Sequence, residues 1–237
     1  MKLIWEINEA DIKKLGNFID NYKTLITKNN SIKNENDFVI NRDTIIKTML
    51  LCLLQTEHNK KLDNNFETFF KQNQFLFSYT VLLNEVDIKN LLTEALKING
   101  LTKYVKKIPD CFSFNFYYLE NTNWELQTKL ENAVKTNLTK QEERSLADSI
   151  DKAFKGFGSE QARRFLQVFD LAKYEIPIDY KMIDWLKKFG FPIKLSRTAL
   201  QDKTFYHFIS DGIQLLCEKV NVHPSTLAAI ITLNKNV

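Results

Sequence analysis

The sequence predicts an all-α protein, and three observations carry that prediction. Glycine (6) and proline (4) are scarce among 237 residues, so a sandwich or barrel of many tight turns is excluded. Apolar residues recur at spacings of three and four through most of the chain, the period of a helix with one buried face. Hydrophobic residues make up 44% and include 18 phenylalanines, enough for a sizeable core in one large or two small units.

The spacing of Ile12, Leu15, Ile19, Leu25 and Ile26 predicts a first helix over 9–28, and the polar stretch 29–37 reads as a loop. Asn41 is placed to cap a second helix carrying Ile45, Ile46, Met49, Leu50 and Leu53. Residues 62–83, with Phe66, Phe69, Phe70, Phe75 and Phe77, read as one helix. A helix over 85–99 stops at Gly100. Alternation in Cys111-Phe112-Ser113-Phe114-Asn115-Phe116 makes 108–123 a short strand or a buried loop. Helix 124–136 follows, and Thr139 with Glu142 forms a capping box for a helix bearing Leu146, Ile150 and Phe154. Beyond Lys155-Gly156-Phe157-Gly158-Ser159 comes a helix with Ala162, Phe165, Leu166 and Phe169 on one face. Leu171–Ile178 is a connection. Asp179 precedes a helix with Met182, Ile183, Leu186 and Phe189 inward, ended by Gly190 and Pro192. Asp202 opens a helix to about Val220, and Pro224 sits in the first turn of a last one.

The formal net charge of +4 permits a nucleic-acid partner without requiring one. Cys52, Cys111 and Cys217 are far apart, no CxxC occurs and there are three histidines, so neither a structural zinc site nor any other cofactor is expected. Unpaired thiols, the absence of a signal-peptide pattern at Met1–Glu9 and the lack of a long apolar run predict a soluble, cytoplasmic protein.

The chemistry is concentrated in 141–189. Two helices flank a turn with glycine at 156 and 158, where backbone can approach a ligand closely. The first amides of the second helix, the helix dipole and the nearby Lys155, Arg163 and Arg164 suit a phosphate group. The turn is equally the tight corner that such glycines commonly form. Asp179 is an N-cap by position, and an N-cap carboxylate can still face a cleft.

The run Gly156-Phe157-Gly158-Ser159-Glu160-Gln161-Ala162-Arg163-Arg164-Phe165-Leu166, then Tyr174-Glu175-Ile176-Pro177-Ile178-Asp179 and Trp185-Leu186, resembles the helix-hairpin-helix DNA glycosylase superfamily. The likeness is closest to enzymes acting on oxidised purines such as 8-oxoguanine. It is specific over about 141–190, with a weak match at Leu53-Leu54-Gln55-Thr56-Glu57-His58-Asn59. It implies a two-lobed fold, with one lobe over 60–172 carrying the hairpin (about 141–171) and the other built from 1–59 and 173–237. It implies base-excision repair by a monomer on double-stranded DNA containing a damaged base. The chain lacks the four C-terminal cysteines of iron–sulfur members.

By the same resemblance, Gly156, Phe157, Gly158, Ser159, Gln161, Arg163 and Lys155 bind DNA, and Gln55 enters the gap left by the flipped base. Asp179 is the catalytic carboxylate. Phe205, Tyr206, His207 and Phe208 stack on the extruded base, or are simply core. Bifunctional members carry a Schiff-base lysine where this chain has Glu160, and a carboxylate cannot form an imine. Three explanations follow: a monofunctional glycosylase that uses water, a DNA-binding protein that has lost catalysis, or an engineered replacement of lysine. Glu160 also reads as an ordinary first-turn acid, and Lys155 and Lys181 as surface lysines rather than substitute amines. An unrelated helical interaction protein, with the glycine turn as a mere corner, is the remaining alternative.

Overall fold

The computed structural model describes residues 4–30, 39–55, 64–73 and 75–233, which hold twelve α-helices and no strand. Helix α1 (Glu9–Asn30) begins where Asn8 and Asp11 exchange reciprocal side-chain bonds to each other's amides, both 3.1 Å. It runs past the predicted end at 28. In α2 (Arg42–Leu54), Asn41 accepts from the Thr44 amide and Thr44 Oγ1 accepts from the Asn41 amide. Apolar residues surround this helix, and Ile45, Ile46, Met49, Leu50, Cys52 and Leu53 are wholly enclosed.

The single helix expected over 62–83 is two: α3 (Asn64–Gln72) and α4 (Tyr79–Asn84). Asn73 breaks it. Its side-chain amide donates to the Phe69 carbonyl at 2.7 Å, taking an acceptor from the helix end. Asp43 then accepts from the Tyr79 amide and starts α4 against α2. Helix α5 (Ile88–Ile98) ends as expected, with Gly100 at φ +71° and the Leu101 amide reaching back to Leu96.

Neither a strand nor a loop occupies 108–123. The segment forms α6 (Ile108–Asn121), with Pro109 in its first turn, where a missing N–H costs nothing. The buried set Ile108, Cys111, Phe112, Asn115, Phe116 and Leu119 has helical spacing, and Phe114 points outward. The aromatic alternation is a consequence of a phenylalanine-rich composition and not of a pleat.

Helices α7 (Glu125–Thr136), α8 (Lys140–Ala153) and α9 (Ser159–Val168) follow, then α10 (Tyr180–Phe189), α11 (Lys203–Lys219) and α12 (Pro224–Leu233). The Thr139–Glu142 capping box forms at α8, and Asp179 and Asp202 cap α10 and α11. Gly190 closes α10 at φ +101°.

Two apolar clusters result. One gathers α2 and the helices from α3 through α9; the other gathers α1 with α10, α11 and α12. Helix α2 thus packs with the hairpin helices, not with the C-terminal helices among which the 1–59 grouping placed it. No described helix is long and apolar enough to cross a membrane.

A buried polar network spans the two clusters. Glu175, fully enclosed, accepts from Arg144 Nε (2.8 Å) and Nη2 (2.6 Å), Arg163 Nε (2.8 Å), Ser210 Oγ (3.1 Å) and Gln214 Nε2 (2.8 Å). Burial opposes its charge, but Arg163 and Arg144 hold its carboxyl below the ordinary range. Glu143 receives the amides of Tyr174 and Glu175. Burial pushes its carboxyl up to about 7.

Because Glu143 binds its proton more tightly folded than unfolded, its contribution is complete below about pH 4.5 and is lost as pH rises through about 7. Chemical denaturation of Glu143→Gln should therefore show a variant that gains on the parent between pH 5 and pH 8 by up to about 3 kcal/mol. A pH-independent difference would contradict this account.

Candidate active site

The hairpin is α8, a turn over 154–158, and α9. Gly156 has φ +82°, and a Cβ there would lie 2.8 Å from Cys111 Sγ and 3.1 Å from Leu53 Cδ2. Both the backbone angle and the close approach of α2 and α6 require glycine. Gly158 differs: its backbone is extended (φ −145°), and a Cβ would meet only Gln161 Oε1 at 3.3 Å. Asn115, buried in α6, accepts from the Lys155 amide (2.7 Å) and donates to its carbonyl (3.0 Å), fixing the start of the turn. Phe157 anchors the far side against Phe154 and Phe165. Gly158 caps α9 without a side-chain bond, so no capping side chain takes up the first amides of the helix.

A cleft of about 440 Å³ opens in front of this turn. Gly156, Phe157, Gly158, Ser159, Glu160 and Gln161 form one wall, and Tyr206, Leu200, Gln201 and Arg197 face it. Lys107, Asp151 and Ile178 complete the lining, and Ser159 Oγ donates to Asp151 at 3.0 Å.

Asp179 stands directly after Ile178 of this wall. Its Oδ1 accepts from the Met182 amide (3.0 Å) and its Oδ2 from Arg164 Nη2 (3.2 Å). The same Arg164 nitrogen reaches Glu160 Oε1 at 3.1 Å. Two carboxylates therefore share one guanidinium nitrogen. Burial pushes the Glu160 carboxyl above its ordinary value, Arg164 opposes the shift and Asp179 adds to it. Cys52 lies within electrostatic reach of this pair, but burial lifts its thiol to about 12, so it stays protonated. The segment leading to Asp179 is set by Tyr206, whose hydroxyl accepts from the Ile178 amide (3.0 Å) and donates to the Ile176 carbonyl (3.1 Å).

The structure sorts the sequence candidates. Gly156, Phe157, Gly158, Ser159, Glu160 and Gln161 line the cleft; Asp179 does not line it and is joined to Glu160 through Arg164. Lys155 is exposed next to the turn, with its ammonium on Asp110 at 2.6 Å. Arg163 is no phosphate partner: it is completely buried, bonded to Glu175, Asp148 and the Ser159 carbonyl, and lies over the Tyr206 ring. Arg164 is taken up by the two carboxylates. Gln55 ends α2 with its Oε1 buried and unpartnered, and Thr56–Asn59 lie outside the described residues.

Phe205, His207 and Phe208 do not line the cleft. Phe205 and Phe208 stack on each other, and Phe208 lines a different cavity of about 390 Å³ with Trp5, Phe189 and Phe191. His207 pairs with Asp148 at 3.2 Å. Consecutive residues on a helix point in different directions, and Tyr206 is the one that faces the hairpin. Of the aromatic run 205–208, Tyr206 alone lines the cleft. Asn115 and Arg197 are absent from the sequence expectations for the site, and no motif marks either. Among the described residues, no group of three or more His, Cys, Asp or Glu could hold a metal ion.

No protein-family model matches the sequence, and no curated protein matches it. Among solved structures, the chain is similar to the 8-oxoguanine DNA glycosylase of Methanocaldococcus jannaschii, with a TM-score of 0.59 and 18% identity over 93% of this chain and 91% of that one. The likeness covers nearly the full length of both proteins. The chain has an all-α, glycosylase-like fold.

Gly156→Ala should lower stability by roughly 2–4 kcal/mol, combining left-handed strain with overpacking against Cys111. Gly158→Ala, in extended backbone, should cost much less. Thermal melts of the two variants side by side check the contrast.

Proposed function

We propose that this chain is a monofunctional DNA N-glycosylase that releases a damaged base, an oxidised purine such as 8-oxoguanine, from duplex DNA as a monomer. The observation that carries the reading is Asp179, held at both oxygens beside a cleft that the hairpin opens onto. The resemblance of 156–186 to glycosylases of oxidised purines and the fold shared with an archaeal 8-oxoguanine DNA glycosylase support it.

The start of α9 takes a backbone phosphate on its first amides, with Lys155 and Gln161 beside it. Phosphate contacts of this kind position the duplex without reading sequence, so affinity falls steeply with salt. The damaged nucleotide turns out of the stack toward the cleft. As the bond between C1′ and the base nitrogen breaks, its electron pair leaves with the base and positive charge grows on the sugar. Asp179 stabilises that charge. A water oxygen bonds to C1′, the water proton passes to Glu160, and the departing base takes a proton from solvent. Without an amine at 160 no imine forms, and the strand is left uncut.

A second reading has one observation in its favour. Asp179 stands outside the lining of the cleft, as it would in a DNA-binding protein that has lost catalysis.

Duplexes with a single 8-oxoguanine separate the readings. The chain should release the base without strand scission and without borohydride trapping, and lesion-specific binding with no release would instead support the second reading. Asp179→Asn should slow release by about 10²–10³-fold and spare duplex binding. Undiminished release would remove Asp179 from the mechanism.

A further inference from the structure

We infer that Arg164 is the positioning residue of this site, one guanidinium edge that fixes Asp179 and Glu160 as a matched pair of carboxylates facing the same reacting centre. The inference rests on the reading of Asp179 as the residue beside the sugar.

The geometry is specific. Arg164 Nη2 lies 3.1 Å from Glu160 Oε1 and 3.2 Å from Asp179 Oδ2, so the two oxygens are no more than about 6 Å apart, the most that two such contacts span. Glu160 is on α9, one turn before Arg164, while Asp179 caps α10. The guanidinium therefore ties the hairpin to the helix that presents the carboxylate. Because Asp179 Oδ1 is bound to the Met182 amide, the second contact removes the remaining freedom of its carboxylate plane.

The arrangement differs from that of Arg163. Arg163 uses Nε, Nη1 and Nη2, each on an acceptor, deep in the interior. Arg164 places both carboxylates on a single nitrogen, and its Nε is buried with no partner. A pairing selected for stability would use the two-pronged fork that a guanidinium offers to one carboxylate. A buried donor without a protein partner is uncommon, and a catalytic role is one setting in which it occurs.

The charge arrangement agrees. Glu160 is faced by Arg164 and Asp179, by the protonated Cys52 thiol of α2 and by Tyr206 of α11. The same cleft carries Asp151 of α8, Lys107 before α6 and Arg197 before α11. Among the described residues, only Arg164 touches both carboxylates. Removing it leaves two acids close together in a partly buried site, a state that forces a proton onto one of them.

The test uses the full chain, Arg164→Met and Arg164→Lys. Single-turnover release from an 8-oxoguanine duplex at saturating protein removes binding from the measurement. Carbon-13 titration of the Glu160 side chain in the free protein reads the carboxylate directly. Arg164→Met should slow release by about 30-fold or more with duplex binding unchanged. It should also move the Glu160 midpoint upward, and Arg164→Lys should recover part of both. Parental release with an unmoved Glu160 midpoint overturns the inference.

If Arg164→Met shows no cooperative melt, Arg164→Lys decides, since it keeps the charge but loses the planar edge. Undiminished release in that variant also overturns the inference. If the parent chain releases no base, the glycosylase reading fails by itself. The Glu160 midpoint then decides the pairing: moved by Arg164→Met it stands, unmoved it falls.

Discussion

Glu175 is the constraint on which the arrangement of this molecule depends. A carboxylate with no solvent contact is tolerated only when its acceptor sites are filled and its charge is answered. Here two arginines, a serine and a glutamine do both. Its partners come from α8 (Arg144), α9 (Arg163) and α11 (Ser210, Gln214), and Glu175 itself belongs to the connection between α9 and α10. Loss of such a group breaks the buried pair with Arg163, which typically costs 3–5 kcal/mol. Hydrophobic packing within each cluster does not fix how the clusters meet, because apolar contact has no direction. The ion network has direction, and it crosses from one cluster to the other.

That crossing places the cleft. Glu143 holds the amides at 174 and 175, Glu175 locks the next point, and the Tyr206 hydroxyl takes 176 and 178. By the time the chain reaches Asp179, its backbone has been fixed at successive residues by side chains from α8 and α11. The cap on α10 then orients the carboxylate. Catalytic constellations need supporting contacts of this kind, since a displaced carboxylate loses most of its value to a developing charge. The polar contacts of the connection thus serve the site as much as the fold.

Local signals made much of this legible in advance. The Asn41, Thr139, Asp179 and Asp202 caps and the Gly100 and Gly190 stops involve residues within a few positions of each other, and each appears where the pattern placed it. The errors arose where local pattern is ambiguous. Phenylalanine at every second position looks pleated, yet Phe112 and Phe116 are also one helical turn apart, and packing against α2 and α5 selects the helix. The break at Asn73 depends on a side chain bonding its own helix end, an option open to any asparagine. Arg163 and Arg164 are chemically identical neighbours on α9, about 100° apart around the axis. Nothing in the sequence says which one faces Glu175 and which one faces Asp179. The same angular argument separates Tyr206 from Phe205 and His207.

The acid at 160 is better understood with Arg164 than alone. An amine at 160 would stand one helical turn from a guanidinium, and like charges at that spacing destabilise each other. A carboxylate at the same place is complementary to it and brings Asp179 into the same ionic group. The three groups thus form a consistent electrostatic unit. Such a unit has no electron pair suited to imine formation, but it has two oxygens able to order a water and accept its proton. Under the proposed reading, glutamate at 160 and arginine at 164 suit the same chemistry, hydrolysis without strand cleavage.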